Sequence, residues 1–362
     1  MGNRAVCLKF AVIMKYSIII PVYNRPDEVD ELLESLTLQT VRDFEVLVVE
    51  DGSSVKCDTV VAKYRDRLTV RYMEKANSGP GQTRNYGAER AAGEWLIILD
   101  SDCVLPEGYL AAVEAELSRE PADAFGGPDR AHASFSVTQK AINYAMTSFF
   151  TTGGIRGGRK KLDKFFPRSF NMGIRREVYA ALGGFSAMRF GEDIDLSLRI
   201  FKGGYRCRLF PDAWVWHKRR TDLRKFFKQV HNSGIARINL MKRHPGSLKL
   251  VHLLPAVFTV GLAFLLLVFL GGLFLFCFGP DHMNRSFGFA LMELSVLPVL
   301  LYSLALFVDA SVRNRSVRIG ALSVVASFVQ LTGYGTGFLR AWWRQCVMGQ
   351  ASFEAFKDNF YK

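Results

Sequence analysis

Residues 250–279 read "LVHLLPAVFTVGLAFLLLVFLGGLFLFCFG", a stretch without Asp, Glu, Lys or Arg. It exceeds the roughly 20 residues with which a helix crosses ~30 Å of hydrocarbon. Lipid offers no partner to backbone N–H and C=O groups, so a segment of this kind is restricted to helix. Two further apolar runs follow. "FGFALMELSVLPVLLYSLALFV" carries an intramembrane Glu293 and Pro298, and "IGALSVVASFVQLTGYGTGFL" is weaker, diluted by Gln330 and four glycines. The pattern predicts a transmembrane region over 249–340, with helices at about 250–278, 287–308 and 318–339, and a C-terminal tail over 341–362. Trp342 and Trp343 beside Arg340 and Arg344 mark an interface; the side of the tail depends on the weak third run.

Charge orients this region. The chain carries a formal charge of +13 and a pI near 9.5, which calls for an anionic partner. From Arg199 to Lys249 there are 14 Lys and Arg against Asp212 and Asp222 alone. That run immediately precedes the apolar tail, so it reads as a collar on membrane lipids and not as a nucleic-acid groove. Within it, "DLRKFFKQVHNSGIARINLMKRH" has helical apolar spacing with basic neighbours, which predicts an interfacial helix region over 221–248. A basic helix packed on the protein is the other reading of the same pattern. Lys242, Arg243 and Lys249 before the first run, and Arg313, Arg315 and Arg318 between the second and third, place both flanks in the cytoplasm. The expected location is an integral cytoplasmic (inner) membrane protein with its N-terminal domain in the cytoplasm.

The six cysteines are scattered without a C-x-x-C pair, as in a reduced compartment. The extension over 1–15 has no small-residue cleavage site and reads as no signal peptide, with Met14 a second candidate start.

Up to about residue 220 the chain alternates short apolar strands with amphipathic helices, the pattern of an α/β sheet layered by helices on both faces. "YSIIIPVYN", "FEVLVVEDGSS", "LTVRYME" and "EWLIILDSD" are the strands; "DEVDELLESLTLQ" is a helix, and "NSGPGQTRNYGAERAAG" is a glycine-rich turn running into another. Open sheets of this kind bind ligands beyond the carboxyl ends of their strands, where Asp51, Asp100 and Asp102 fall. Two carboxylates one residue apart at a strand exit suit a hard cation, Mn²⁺ or Mg²⁺, with positions left for a phosphorylated ligand. Asp clusters also cap turns, so a bare D-x-D is weak taken alone.

The ordered set "SIIIPVYN", "VVEDGSS", "NSGPGQTRN", "LDSD", "GGF" and "FGEDIDLSLRI" resembles family-2 glycosyltransferases of the GT-A fold, over residues 15 to about 245. The resemblance implies a Rossmann-like GT-A domain over 16–220. It implies that Pro21, Val22, Tyr23 and Asn24 wall a nucleotide pocket and that Glu50 or Asp51 bonds the base or ribose. Asp51 as a turn residue before Gly52 is the alternative. Gly79, Gly81, Arg84 and Asn85 match the family's G-x-x-x-A-R-N element, with Thr83 where alanine is usual; Arg84 then holds the nucleotide sugar or is a buried structural arginine. Asp100, with Ser101, would line the donor, and Asp100 and Asp102 would hold the metal. His217 in "WVWHKRRTD" stands where related enzymes have a third ligand, and a purely structural histidine is the other reading. Glu192 and Asp193 match the E-D pair of the acceptor side, with Asp193 as base unless both merely complement a helix N-terminus.

The absences matter too. Processive synthases of this fold carry Q-x-x-R-W, and here the nearest segment is "QVHNS"; there is neither a P-loop nor a G-x-G-x-x-G after the first strand. The resemblance therefore implies an inverting, metal-dependent transferase that moves one sugar from a nucleotide sugar, UDP-linked, to a hydroxyl of a lipid-linked or glycan acceptor. A polyprenyl-phosphate glycosyltransferase is the rival within the class. A nonenzymatic membrane module that binds nucleotide sugars is the rival outside it.

Overall fold

A computed structural model describes residues 14–130, 135–153, 165–188, 190–218 and 222–350. The extension before Met14, Arg219 and Arg220, the middle of the glycine-rich loop and the tail beyond 350 lie outside the described residues. The chain forms two units, one of residues 1–130 with 164–217 and one of 131–163 with 218–362.

The first unit begins β1 (Tyr16–Val22), α1 (Pro26–Thr37), β2 (Phe44–Asp51), α2 (Asp58–Ala62), β3 (Val70–Lys75) and α3 (Pro80–Ala88). It continues through β4 (Trp95–Leu99), β5 (Cys103–Val104), α4 (Tyr109–Arg119), β6 (Ala124–Gly126) and β7 (Asp129–Arg130). The chain then gives α5 (Val137–Thr147) and α6 (Phe149–Thr152) to the second unit. It resumes the first with β8 (Asn171–Arg175), α7 (Arg176–Ala181), α8 (Glu192–Lys202), β9 (Cys207–Leu209) and β10 (Val215–His217).

Seven strands make one mixed sheet in the order β3-β2-β1-β4-β8-β6-β9. β1 to β4 are mutually parallel, and β8 runs antiparallel to both its neighbours. The register Val22↔Glu50, Asp51↔Lys75 and Ile19↔Ile98 brings the exits of β1, β2 and β4 to one end of the sheet. β4 is the middle strand of the seven, and all five of its residues are buried. Strands covered on both faces read as continuous apolar runs, which is why "WLIIL" and "FEVLVV" lack alternation. Helix α1 starts on Pro26 with Asp27 and Glu28 in its first turn, and buries Val29, Leu32, Leu33 and Leu36 against that sheet. A second sheet, β5-β10-β7, pairs His217 with Cys103 and so brings the end of β10 to the exit of β4.

The second unit adds α9 (Leu223–Arg243), α10 (Leu254–Phe278), α11 (His282–Asn314) and α12 (Val317–Trp342), extended by a π-helical turn at Trp343–Val347. The last three are long and apolar enough to cross a membrane, over Leu254–Phe278, His282–Asn314 and Val317–Val347. Glu293 is exposed on α11, and Pro298 sits inside that helix. Helix α9, within the region expected over 221–248 to hold an interfacial helix, is also packed on protein. Phe226 and Val230 pack with Ala141, Ile142 and Ala326 of α5 and α12, and Ile235 and Ile238 pack with Phe338 and Ala341 of α12. Much of its apolar stripe is thus covered by protein, with Phe227 left exposed. Residues 135–153, which the sequence places inside the α/β domain, fold with these helices because α5 buries its own apolar face there.

Candidate functional site

The site residues lie in the first unit, at the carboxyl ends of β1, β2 and β4 and the start of α8. At the exit of β4 the Cys103 N–H donates to Asp100 O at 3.1 Å, closing a turn that carries Asp100, Ser101 and Asp102. Strand β5 follows at once and pairs with β10, so His217 Nε2 lies 3.1 Å from Asp102 Oδ1. The imidazole stacks on Phe170 with ring centroids 4.6 Å apart. On its other side Asp102 Oδ2 stands 3.4 Å from Arg25 Nη1, which also pairs with Glu28 at 2.6 Å.

Donor atoms of Asp102, Cys103 and His217 lie within 4.8 Å of one another, the spacing of a metal centre. Burial, with the charges of Asp102, Asp100 and Asp129, pushes the Cys103 thiol well above its usual range, and the S–H donates to Phe170 O at 3.4 Å. A thiol suits softer ions than carboxylate and imidazole do. The Asp102 carboxylate and the His217 imidazole are donors that suit Mn²⁺ or Mg²⁺.

Arg84, on α3, links this exit to α8. Its Nη2 donates to Asp100 Oδ1 at 2.7 Å and its Nη1 to Glu192 Oε1 at 3.0 Å. The residue is 3% exposed, so its guanidinium serves two carboxylates and not open solvent. Burial pushes the Glu192 carboxyl up to about 7; the Arg84 charge opposes that rise and the neighbouring Asp193 adds to it. Gly191, with φ 83°, caps α8, and Glu192, Asp193 and Asp195 occupy the first turn. Asp193 is partly buried: Oδ1 accepts from Ile194 N at 2.8 Å and Oδ2 from Arg168 Nη1 at 3.2 Å.

The residues expected to wall a nucleotide pocket are held to neighbouring turns. Pro21 and Tyr23 are half-buried and Val22 is buried at the end of β1. Asn24 takes φ 54°, in the left-handed region, and its Oδ1 accepts from Val55 N at 2.8 Å and Ser54 Oγ at 3.1 Å. Asp51 accepts from Lys75 Nζ, Ser78 N and Gly79 N at 2.7, 2.9 and 2.8 Å, which locks the β2 exit to the turn before α3. Glu50 is buried and accepts from Ser53, Cys57 and Tyr72. Asn85 pins α3 to the turn after α7 through Phe185 N and O, each at 2.8 Å. Asp51, Glu50 and Asn85 are thus engaged by bonds within the chain.

Residues 17–183 match the family described as Glycosyl transferase family 2. The chain carries a glycosyltransferase family 2 domain. An uncharacterized glycosyltransferase of Haemophilus influenzae is 32% identical over 188 residues, 51% of this chain and 62% of that relative. Poly(ribitol-phosphate) beta-N-acetylglucosaminyltransferase TarS of Staphylococcus aureus is 35% identical over 114 residues, 30% of this chain and 20% of that one. The mannosyltransferase PcManGT from Pyrobaculum calidifontis, in complex with GDP-Man and Mn²⁺, superposes with a TM-score of 0.56 at 17% identity, covering 91% of this chain and 88% of that one. That likeness is one of fold, the GT-A arrangement of a mixed sheet layered by helices. The chain spans less than two thirds of the length of the curated relatives it matches.

Three cations of this glycosyltransferase family 2 domain escaped the sequence reading: Arg25, Lys75 and Arg168, paired with Asp102, Asp51 and Asp193. Arg25 directly follows the quoted "PVYN" and could have been suspected from that place. Arg168 sits at the end of a glycine-rich basic loop, where nothing local distinguishes it from its neighbours.

Proposed function

We propose that the protein is an inverting glycosyltransferase that moves a single sugar from a nucleotide sugar, UDP-linked, to a hydroxyl of a lipid-linked or glycan acceptor at the cytoplasmic face of a membrane. The observation that carries this reading is the buried bridge Asp100–Arg84–Glu192, which joins the strand exit expected to hold the donor to the helix that presents Asp193. A rigid bridge fixes the distance between donor and base, the geometric requirement of a direct displacement. Asp102 and His217, with Asp100, would hold Mn²⁺ or Mg²⁺, which when bound neutralises charge developing on the leaving diphosphate. Asp193 accepts the proton of the acceptor hydroxyl as its oxygen bonds the anomeric carbon and the diphosphate departs.

Family membership supports the reaction class, and the clustering of Lys and Arg before the apolar helices supports the cytoplasmic side. Q-x-x-R-W is missing, which supports one addition and not a polymer. The test is a donor screen of the detergent-solubilised protein with Mn²⁺ or Mg²⁺, scored by nucleoside diphosphate release and by NMR of the new linkage. Release from one donor with inverted anomeric configuration is expected; retention of configuration, or a ladder of additions, would overturn the displacement or the single transfer.

A further inference from the structure

By length and apolarity α10, α11 and α12 all qualify as membrane spans, yet their neighbours differ. Helices α10 and α11 pair as a hairpin up to the polar turn that joins them: Gly272 and Gly288 meet backbone to backbone, and the Phe276 and Phe289 rings lie 6.2 Å apart. The outward residues of that stretch, such as Leu267, Phe274, Leu294 and Leu297, are exposed and apolar, as a lipid-facing surface requires.

The contacts that place α12 fall at the root of this hairpin. Gly320 lies against Phe307 and Ser311 of α11. Phe328 lies against Phe258 and Tyr302, with ring centroids 5.5 and 5.9 Å away. Further along, Thr259 Oγ1 donates to Leu331 O at 3.3 Å, and Gly335 abuts Pro255 and Thr259. Pro255 is the second residue of α10. From Phe328 to Gly335, α12 therefore moves back toward the start of α10 instead of following it inward.

From there α12 runs beside α9. Gly333 abuts Phe227 and Val230, Gly337 abuts the His231 carbonyl, and Gly234 abuts the Tyr334 carbonyl. Gln345 Nε2 donates to Asn239 Oδ1 at 2.6 Å, and Lys242 Nζ donates to Gln345 O at 2.8 Å. Helix α9 is about 30 Å long at 1.5 Å per residue. It carries exposed Arg224, Lys225 and Lys228 at one end, exposed Lys242 and Arg243 at the other, and Gln229, Asn232, Arg237 and Asn239 between. A helix with this distribution cannot lie across hydrocarbon, where each charge near the centre costs about 2.5–3.5 kcal/mol or more. Whatever is paired along it is held at its depth.

We infer that α12 does not cross the bilayer: it lies with α9 on the membrane surface, the α10–α11 hairpin alone spans, and residues 343–350 stay on the face from which α10 departs. Exposed Trp342 and Trp343 at the end of α12 suit that level, where amphipathic rings concentrate. The inference rests on the reading that the hairpin enters a membrane, and the two can fail separately.

The experiment uses the full chain in sealed vesicles of both orientations. A membrane-impermeant maleimide is applied to the Met283→Cys variant, whose reporter sits on the α10–α11 turn, and peptides bearing position 283 and the exposed native Cys346 are read by mass spectrometry. A protease-cleavable tag after Lys362 reports the C-terminal face independently. Opposite faces for position 283 and for Cys346 and the tag are expected. The same face for both would overturn the inference, because three spans would carry Cys346 across. Release of the protein by a carbonate wash of the same vesicles would instead overturn the membrane reading on which it rests.

Discussion

Asp193 and Asp102 show how differently two carboxylates of one site are held. Asp193 is bonded by Arg168 and by its own helix; Asp193→Asn is nearly isosteric, keeps one oxygen to accept from either Ile194 N or Arg168, puts an NH2 group in place of the other, and cannot take a proton. Nucleotide-sugar binding should persist while kcat falls about 10²–10⁴-fold, measured by calorimetry and by diphosphate release. Asp102→Ala removes a neighbour of both His217 and Arg25, and should abolish Mn²⁺ binding read by electron paramagnetic resonance along with turnover. Glu192 gives a pH prediction. Its folded pKa, raised by burial to about 7, exceeds the usual glutamate value, so the native state holds a proton that the unfolded state has lost between these limits. Stability therefore falls as pH rises from about 4.5 to about 7, and Glu192→Gln should flatten that slope in thermal unfolding followed across pH. The quoted motifs placed Asp100, Asp102, Glu192 and Asp193 because each sits at a strand exit or helix start, which short-range pattern marks. The Arg84 bridge was not legible: Glu192 is 108 residues away in sequence, and its approach depends on how α8 packs, not on local spacing.

The elements of the sheet were readable because buried parallel strands are unbroken apolar runs ended by turn residues, as "SIIIPVYN" and "WLIILDSD" are. The helices of the second unit were readable as helices but not in their partners. The sequence shows Gly333, Gly335 and Gly337 as dilution of an apolar run; the structure shows them as the surface on which α9 and α10 close. A Cβ on Gly337 would collide with the His231 carbonyl, and backbone cannot yield as a side chain can. Gly337→Ala should therefore destabilise the helical unit by about 1–3 kcal/mol as α9 and α12 are forced apart. Gly261→Ala is the control. Nothing lies within 4 Å of its added methyl, so it should be neutral or gain up to about 1 kcal/mol of helix propensity. Thermal unfolding of the detergent-solubilised variants checks both; equal midpoints would mean that the α9–α12 approach is not tight.

At the scale of the whole molecule, composition alone suggests cutting the chain before Lys249 to obtain a soluble domain without its apolar helices. The packing argues otherwise. Residues 135–153 belong to the helical unit, and α5 buries Ala141, Ile142 and Ala145 in a cluster completed by Phe226 and Val230 of α9 and Ala326 of α12. Ile235 and Ile238 of α9 depend likewise on Ala256, Phe338 and Ala341. Removing everything after Leu248 strips α5 and α9 of these partners and returns their apolar faces to water, at about 25 cal/mol for each Å². An exposed surface of that kind drives association. The truncated chain should thus form aggregates that bind an apolar dye, whereas the full chain in detergent should elute as one species in size-exclusion chromatography. A monodisperse truncated protein with a single cooperative unfolding transition would show that α5 and α9 find enough cover without α10 and α12, and that the catalytic unit can be separated where the charge pattern of the sequence places its edge.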